Sequence, residues 1–363
     1  MSWLGSGLIS AYPASIFLDS FCFFYEMTAM PGRHISYSAQ NFDGLSYLAQ
    51  DVPSIALVTE GGGQRGIFTA GVLDAFLNAG FNPFGLLIGT SSGALNLASY
   101  ICGQKKHAYR VITEATTSQD FFALKRFLTG RGGLDLDWLL QQVKSDLMLD
   151  WNAGRENMRN RTVLASACGL SEHQACYFNL AEDDWQLALK ATCSIPLLHT
   201  QPVQIDADRY VDGGVCAPIP VQEAYRRGYR HIVVVRTMPV EFDGEHQWLK
   251  GMSKWVKKTR AADMMGLLVE HEESYRKNQA FLASPPDDVT IYEIHPNKSL
   301  DSKLIGSPME ALERDYELGL KSGHYFLNTM GRRIARMPSV PSDPFFSMNK
   351  IKALGQGLEF RQR

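Results

Sequence analysis

The sequence predicts an α/β fold whose central sheet is mainly parallel and covered by helices on both faces. Short, nearly unbroken apolar runs alternate with stretches of helical periodicity, which is the pattern of strands buried on both faces. Glycine-rich turns follow the first two apolar runs, at the sheet edge where open α/β folds bind their ligands. The predicted strands, with helices between most of them, are 55–59, 85–89, 162–167, 174–180 and 231–236.

Composition limits the classes of function. The chain has 363 residues, of which 45% are hydrophobic and 20% charged, as in a globular enzyme with one large domain and a smaller one. A formal net charge of −2 gives no general attraction to nucleic acid, so no nucleic-acid partner is expected. The six cysteines lack metal-ligand spacing. We therefore predict a reduced, cytosolic chain with buried thiols, no metal site and no cofactor.

A G-x-S-x-G motif (GTSSG, 89–93) lies between the strand 85–89 and a predicted helix. Gly89 and Gly93 let the backbone make a sharp, strained turn that lifts the hydroxyl of Ser91 clear of the sheet. The helix that follows adds backbone N–H groups and the positive end of its dipole near that hydroxyl. The motif therefore predicts that Ser91 is a nucleophile.

A glycine-rich loop (EGGGQRG, 60–66) follows the strand 55–59. Three successive glycines, at 61–63, remove every Cβ from the turn, so that N–H groups can point at a negative oxygen, as an acyl-transfer intermediate requires. The spacing to Gly66 also fits a dinucleotide fingerprint, but the stretch 77–84 lacks the acidic residue which that motif needs. Arg65 has two interpretations: it starts a helix or forms a structural ion pair, or it binds an anionic head group.

A carboxylate lies beside two glycines in the sequence YVDGG at 210–214. Gly213 and Gly214 permit a tight turn, and Asp212 is a candidate base, or a candidate orienter of the base, for the serine. The competing interpretation is a Ser-His-Asp triad, because five of the nine histidines follow Asp212 and triad partners need only be close in space. None of them has a local signature, and His271 lies in a charged stretch that predicts a solvated side chain.

The order glycine loop, G-x-S-x-G, Asp-Gly-Gly resembles the patatin-like phospholipase family over about residues 54–236. A small-residue segment that ends at Pro196 also resembles the family, whereas Ser92 stands where alanine is common in it. The resemblance implies a patatin-like three-layer α/β/α fold and a serine-carboxylate dyad without histidine that acts on acyl esters of lipids. It further implies a nucleophile, a general base and an oxyanion hole, which are Ser91, Asp212 and the N–H groups of Gly61, Gly62 and Gly63.

The predicted function is therefore a lipid acyl hydrolase of the phospholipase A or lysophospholipase kind, with a lipid or acyl ester as partner. Two alternatives stay open. One is a lipid-binding or regulatory protein of the same fold with little turnover, and the other is an α/β-hydrolase esterase with a Ser-His-Asp triad. The motifs do not specify the acyl chain or the head group, because those depend on pocket shape.

Four regions are predicted: a poorly ordered leader (1–50), the catalytic domain (51–240), a mostly helical accessory subdomain (241–337) and a loose tail (338–363). The leader lacks the basic start of a signal peptide, and its apolar stretch is too short for a transmembrane helix. Residues 248–260 carry two tryptophans, five basic residues and no acid. This segment predicts either a peripheral membrane contact or a helix packed on the catalytic domain. The expected location is the cytoplasm, with peripheral contact at the inner membrane.

Overall fold

The computed structural model describes residues 33–37, 55–129, 132–240 and 261–334. Within these ranges the strands form one mixed sheet, and they are β1 (Arg33–Tyr37), β2 (Ile55–Thr59), β3 (Phe84–Thr90), β4 (Thr162–Gly169), β5 (Gln174–Asn179), β6 (Val203–Ile205), β7 (Asp208–Asp212), β8 (His231–Val235) and β9 (Thr290–Ile294). Their order in the sheet is β1-β9-β8-β2-β3-β4-β7-β6, and β5 pairs with β4.

Six neighbouring strands, from β1 to β4 in sheet order, are parallel, while β5 and β7 run antiparallel to β4 and β6 runs antiparallel to β7. This arrangement confirms the prediction of a mainly parallel sheet. The predicted strands also lie where the structure has them, to within one or two residues.

Helices cover both faces of the sheet: α1 (Gly66–Asn78), α2 (Ser92–Ile101), α3 (His107–Arg110), α4 (Leu124–Leu128), α5 (Leu136–Gln142), α6 (Trp151–Met158), α7 (Trp185–Thr192), α8 (Val221–Arg226), α9 (Ala261–Ala283), α10 (Met309–Phe326) and α11 (Arg332–Ile334). Strand side chains alternate between two apolar cores. In β2, Leu57 packs with α1, α2 and α10, whereas Ala56 and Val58 pack with α8 and α9. The result is a three-layer α/β/α fold, as predicted.

The C-terminal residues share this sheet and core. Strand β9 lies between β1 and β8, and α10 packs closely on α1. Glycines permit the close approach, since a Cβ on Gly323 would lie 2.7 Å from the Cβ of Ala75. The division of the chain into a catalytic domain and an accessory subdomain near residue 240 stays a prediction. None of the helices in the described ranges combines the length and apolar character that crossing a bilayer requires.

Strand β1 differs from the poorly ordered leader that was expected over 1–50. Residues Arg33–Tyr37 pair in parallel with β9, with Arg33 opposite Thr290. An edge strand takes its conformation from hydrogen bonds to its neighbour, so five residues of mixed polarity carry little local signal. The rest of the predicted leader (1–32 and 38–50), the segment 248–260 and the tail 338–363 lie outside the described residues.

The prediction of free, reduced thiols is wrong for two cysteines. Cys168 on β4 and Cys216 form a disulfide, with their Cα atoms 5.4 Å apart. The pairing of β4 with β7 brings them together, because Cys168 lies opposite Val211 in the ladder. A separation of 48 residues gives no sign of this contact in the sequence. Cys102 and Cys193 are buried thiols, as predicted.

Candidate active site

Ser91 occupies the turn between the carboxyl end of β3 and the start of α2. Its backbone torsions, φ 53° and ψ −126°, are sparsely populated for a residue with a side chain, which agrees with the predicted strained turn. The flanking glycines make the turn possible: a Cβ on Gly89 would lie 2.6 Å from the backbone of Ala94, and one on Gly93 would lie 2.6 Å from the carbonyl oxygen of Thr59. Residues at 89–93 thus fold as their local sequence requires.

Ser91 and Asp212 are in direct contact although 121 residues separate them in the chain. The Oγ of Ser91 donates a hydrogen bond to Oδ2 of Asp212 at 2.7 Å, and the N–H of Gly214 donates to Oδ1 at 2.7 Å. The sheet produces this contact, because Asp212 ends β7, β7 pairs with β4, and β4 pairs with β3. Only 6% of Ser91 and 5% of Asp212 is exposed, so bulk water scarcely reaches the pair.

The last residue of α7 and the segment that follows it hold both partners in place. The N–H of Ser91 donates to the hydroxyl of Thr192 at 2.8 Å, and the N–H of Asp212 donates to the carbonyl oxygen of Ser194 at 2.9 Å. A Cβ on Gly213 would overlap a carbonyl oxygen of β4, so the Asp-Gly-Gly turn needs glycine there. The role of Thr192 was not predicted, since a threonine in a small-residue segment carries no signal of its own.

Burial raises the pKa of Asp212 to about 7, although the hydrogen bonds from Ser91 and Gly214 oppose the shift. A carboxyl group with that pKa can both accept and return a proton near neutral pH. Burial also raises the pKa of the Cys193 thiol well above its ordinary value, and the charge of Asp212 adds to that effect. The thiol beside the pair therefore stays protonated at neutral pH, which leaves the Ser91 hydroxyl as the better activated nucleophile.

The glycine loop lies directly against Ser91. A Cβ on Gly61 would be 3.2 Å from the Cβ of Ser91, and Gly63 begins a short 3₁₀ helix with φ 58°. Within the described ranges, no residue accepts a hydrogen bond from the N–H groups of Gly61, Gly62 and Gly63. The loop thus presents unused hydrogen-bond donors close to the serine hydroxyl.

Gly63 is expected to tolerate alanine less well than Gly103, another glycine with positive φ (58° and 70°). A Cβ on Gly63 would overlap the carbonyl oxygen of Leu304, whereas nothing lies within 4 Å of one on Gly103. Both variants incur the left-handed backbone penalty of about 1 kcal/mol, and Gly63→Ala should lose about 1–3 kcal/mol more by overpacking. Urea unfolding measures the free energies, and equal losses in the two variants would contradict the close approach.

An apolar cavity of about 720 Å³ opens at Ser91, and we call it the first cavity. Helices α2 and α5 and the segments around them provide most of its wall, including Leu95, Val111, Leu134, Leu139, Val143 and Leu149. A wall of this kind suits a hydrocarbon chain.

A second cavity, of about 750 Å³, shares Ser91, Ile195 and Leu304 with the first. The remaining wall is different, since it includes Asp212 and residues of the glycine loop and of α9. Ser91 therefore lies where two cavities meet, with apolar space available on either side of a bond that it attacks.

Arg65 lines the second cavity and stands at the N-cap position of α1, which confirms its predicted place at a helix start. Within the described part of the chain it forms no ion pair, so the predicted structural ion pair is not observed. Burial lowers the pKa of Arg65, and the charge of Glu60 opposes that shift. Gly66 follows, and its carbonyl oxygen accepts a hydrogen bond from the amide of Asn96 at 2.8 Å.

His271 was predicted to be solvated, and the structure shows otherwise. It lines the second cavity, and its Nδ1 donates to the carbonyl oxygen of Gly214 at 2.5 Å. Burial lowers the pKa of His271. The charged neighbours misled the prediction, because a helix presents successive residues to different surroundings. Among the described residues, no imidazole hydrogen-bonds to Ser91 or Asp212.

Two comparisons with known proteins identify the family of this chain. The family model "Patatin-like phospholipase" matches residues 57–225. "Uncharacterized protein YjjU" of Escherichia coli (strain K12) is 40% identical over 302 residues, which are 83% of this chain and 85% of that protein. The chain belongs to the patatin-like phospholipase family. A second family model, "Domain of unknown function (DUF6363)", matches residues 261–335 of this patatin-like phospholipase.

Solved structures of other proteins resemble this patatin-like phospholipase at low sequence identity. VipD from Legionella pneumophila is 14% identical with a TM-score of 0.42, and the match covers 83% of this chain and 71% of that one. Human GIVD cytosolic phospholipase A2 is 11% identical with a TM-score of 0.40, and the match covers 78% of this chain and 60% of that one.

Proposed function

We propose that this protein is a lipid acyl hydrolase, of the phospholipase A or lysophospholipase kind, in which Ser91 is the nucleophile and Asp212 the general base. The observation that carries the proposal is the 2.7 Å hydrogen bond between their side chains at the junction of two largely apolar cavities. Family membership supports lipid hydrolysis in general, and the geometry supports these particular residues.

The reaction proceeds through an acyl-enzyme. As Oγ of Ser91 attacks the ester carbonyl, its proton passes to Asp212 and the carbonyl oxygen becomes an oxyanion. The N–H groups of Gly61, Gly62 and Gly63 stabilise this oxyanion by donating hydrogen bonds to it. They are available for this role because they have no other partner among the described residues. The ester C–O bond then breaks and Asp212 returns the proton to the leaving alcohol. Water repeats the sequence on the acyl-enzyme, which releases the fatty acid.

The proposal is tested with an active-site fluorophosphonate and a panel of acyl lipids. We expect one covalent adduct per chain, located on Ser91 by peptide mass spectrometry, and release of fatty acid from at least one phospholipid, lysophospholipid or neutral glyceride. Heat-denatured protein is the control and should remain unlabelled. A native protein that binds lipid vesicles yet neither reacts nor releases fatty acid would support a lipid-binding role instead.

The pKa of Asp212 predicts the pH dependence of the reaction. The base acts in its deprotonated form, so a pKa of about 7 means that activity is low in acid and rises through neutral pH. We expect kcat/KM for an uncharged acyl ester to rise about tenfold per pH unit well below pH 7, and to level off above it. Steady-state rates between about pH 5 and pH 9 provide the profile. A flat profile across that interval would contradict Asp212 as the base.

Access to the lipid is a separate matter. The segment 248–260, which was predicted as a peripheral membrane contact, lies outside the described residues, and the cytoplasmic location stays a prediction. Sedimentation with vesicles of anionic and of zwitterionic lipid would test the contact directly.

A further inference from the structure

One wall of the second cavity comes from the C-terminal part of the chain. Helix α9 places Leu267, Leu268 and His271 on this wall, and Leu304 lies where the two cavities join. All four residues belong to the region that matches a domain of unknown function. That region therefore borders the same space as Ser91.

Tyr275 and His271 are the polar side chains that α9 contributes to this wall, and each forms a hydrogen bond within the protein. The hydroxyl of Tyr275 donates to Glu60 at 2.8 Å, and the imidazole of His271 donates to the backbone of the Asp-Gly-Gly turn. A polar group that is already paired offers little to a ligand. What α9 presents to the cavity is therefore mainly the apolar surface of Leu267 and Leu268.

The wall is also fixed to the glycine loop. The N–H of Gln64 donates to the carbonyl oxygen of Leu304 at 2.9 Å, and its side-chain oxygen accepts from the N–H of Ser307 at 2.8 Å. These bonds join the loop that carries the unused N–H donors to the loop that borders both cavities. The side of the second cavity that Leu304 provides is thus held in place before a ligand binds.

We propose that the second cavity holds a second apolar chain, carried by the alcohol part of the ester, and that Leu267 and Leu268 determine this preference. The inference rests on the proposed function: if the acyl chain under attack lies in the first cavity, the rest of the substrate extends from the scissile oxygen into the second. Both cavities are largely apolar and they meet at Ser91, which suits a substrate with an apolar arm on each side of the ester. The favoured substrate class is a diacyl lipid rather than a single-chain ester.

Leu268→Trp fills the cavity, and Val269→Trp is its matched control, because Val269 is the next residue on α9 and is 55% exposed. Each variant is assayed in mixed micelles with a diacyl phosphatidylcholine, the matching lysophospholipid and p-nitrophenyl butyrate. We expect Leu268→Trp to lower kcat/KM for the diacyl lipid relative to p-nitrophenyl butyrate by about tenfold or more. Val269→Trp should leave that ratio unchanged.

A second variant, Leu267→Gln, adds an amide to the wall with little change in volume, and it should lower the same ratio. The inference is overturned if the ratio is unchanged in a folded variant, if all substrates lose equally, or if the wild type cleaves lysophospholipid at least as fast as diacyl lipid. Wild-type turnover of p-nitrophenyl butyrate separates the two proposals. If the wild type turns over p-nitrophenyl butyrate, the outcomes above refute only the proposal that the second cavity holds a second apolar chain. If the wild type turns over none of the substrates, the proposed function fails as well.

Discussion

Ser91→Ala is expected to lower lipid hydrolysis by about 10⁴-fold or more and to abolish fluorophosphonate labelling. The substitution removes the only atom that can form the acyl-enzyme, and the oxyanion donors alone cannot replace it. The fold should persist, because alanine meets the same backbone requirement at φ 53° and the lost hydrogen bond is a single side-chain contact. Activity, labelling and thermal unfolding of the purified variant provide the measurements.

The neighbouring serine is the matched control. Ser92 is 8% exposed, and its hydroxyl has no hydrogen-bond partner among the described residues. Ser92→Ala removes the same atom type one residue away and replaces it with the residue that is common in the family. We expect its activity to stay within about threefold of the wild type, as for a substitution without transition-state contacts. Turnover by folded Ser91→Ala near the Ser92→Ala rate would refute the nucleophile.

Asp212→Asn is expected to cost about 10⁴-fold in kcat/KM, with little change in shape. The N–H of Gly214 fixes Oδ1 as an acceptor, so the new amide must turn its NH₂ toward Ser91. The amide would then donate to Oγ instead of accepting its proton, and the nucleophile would lose its activation. The ionisation of Asp212 near pH 7 should also disappear from the pH profile of kcat/KM. If Asp212 had only a structural role, its replacement would leave the shape of that profile unchanged.

Asp208→Asn serves as the control for this change, since Asp208 begins the same strand and is exposed. It should retain the wild-type rate and pH profile. Strong fluorophosphonate labelling of folded Asp212→Asn would mean that a residue other than Asp212 is the general base. His271 would then be the first candidate, because it borders the same cavity and holds the carbonyl of Gly214.

Much of the fold and of the candidate site could be predicted because their signals are local. The strand pattern follows from burial on both faces, and the glycines at 89 and 93 are imposed by atoms within a few residues or on the adjacent strand. Thr192, His271 and the Cys168–Cys216 pair carry no such signal. Each has its role through a neighbour far away in the chain, so spacing and periodicity could not reveal it.

The sequence by itself determined the sharp turn at Ser91 and the open glycine loop, because steric limits on φ and ψ act over a few residues. It also indicated the family, because the order of the three motifs can be read directly along the chain. Only the tertiary structure decided that Asp212 contacts Ser91, that its pKa lies near 7, and that α9 walls the second cavity. Contacts across 121 residues depend on the order of strands in the sheet. Desolvation of Asp212 depends on every group packed around its carboxylate. A local sequence pattern therefore reveals neither the contact between Ser91 and Asp212 nor the pKa of Asp212.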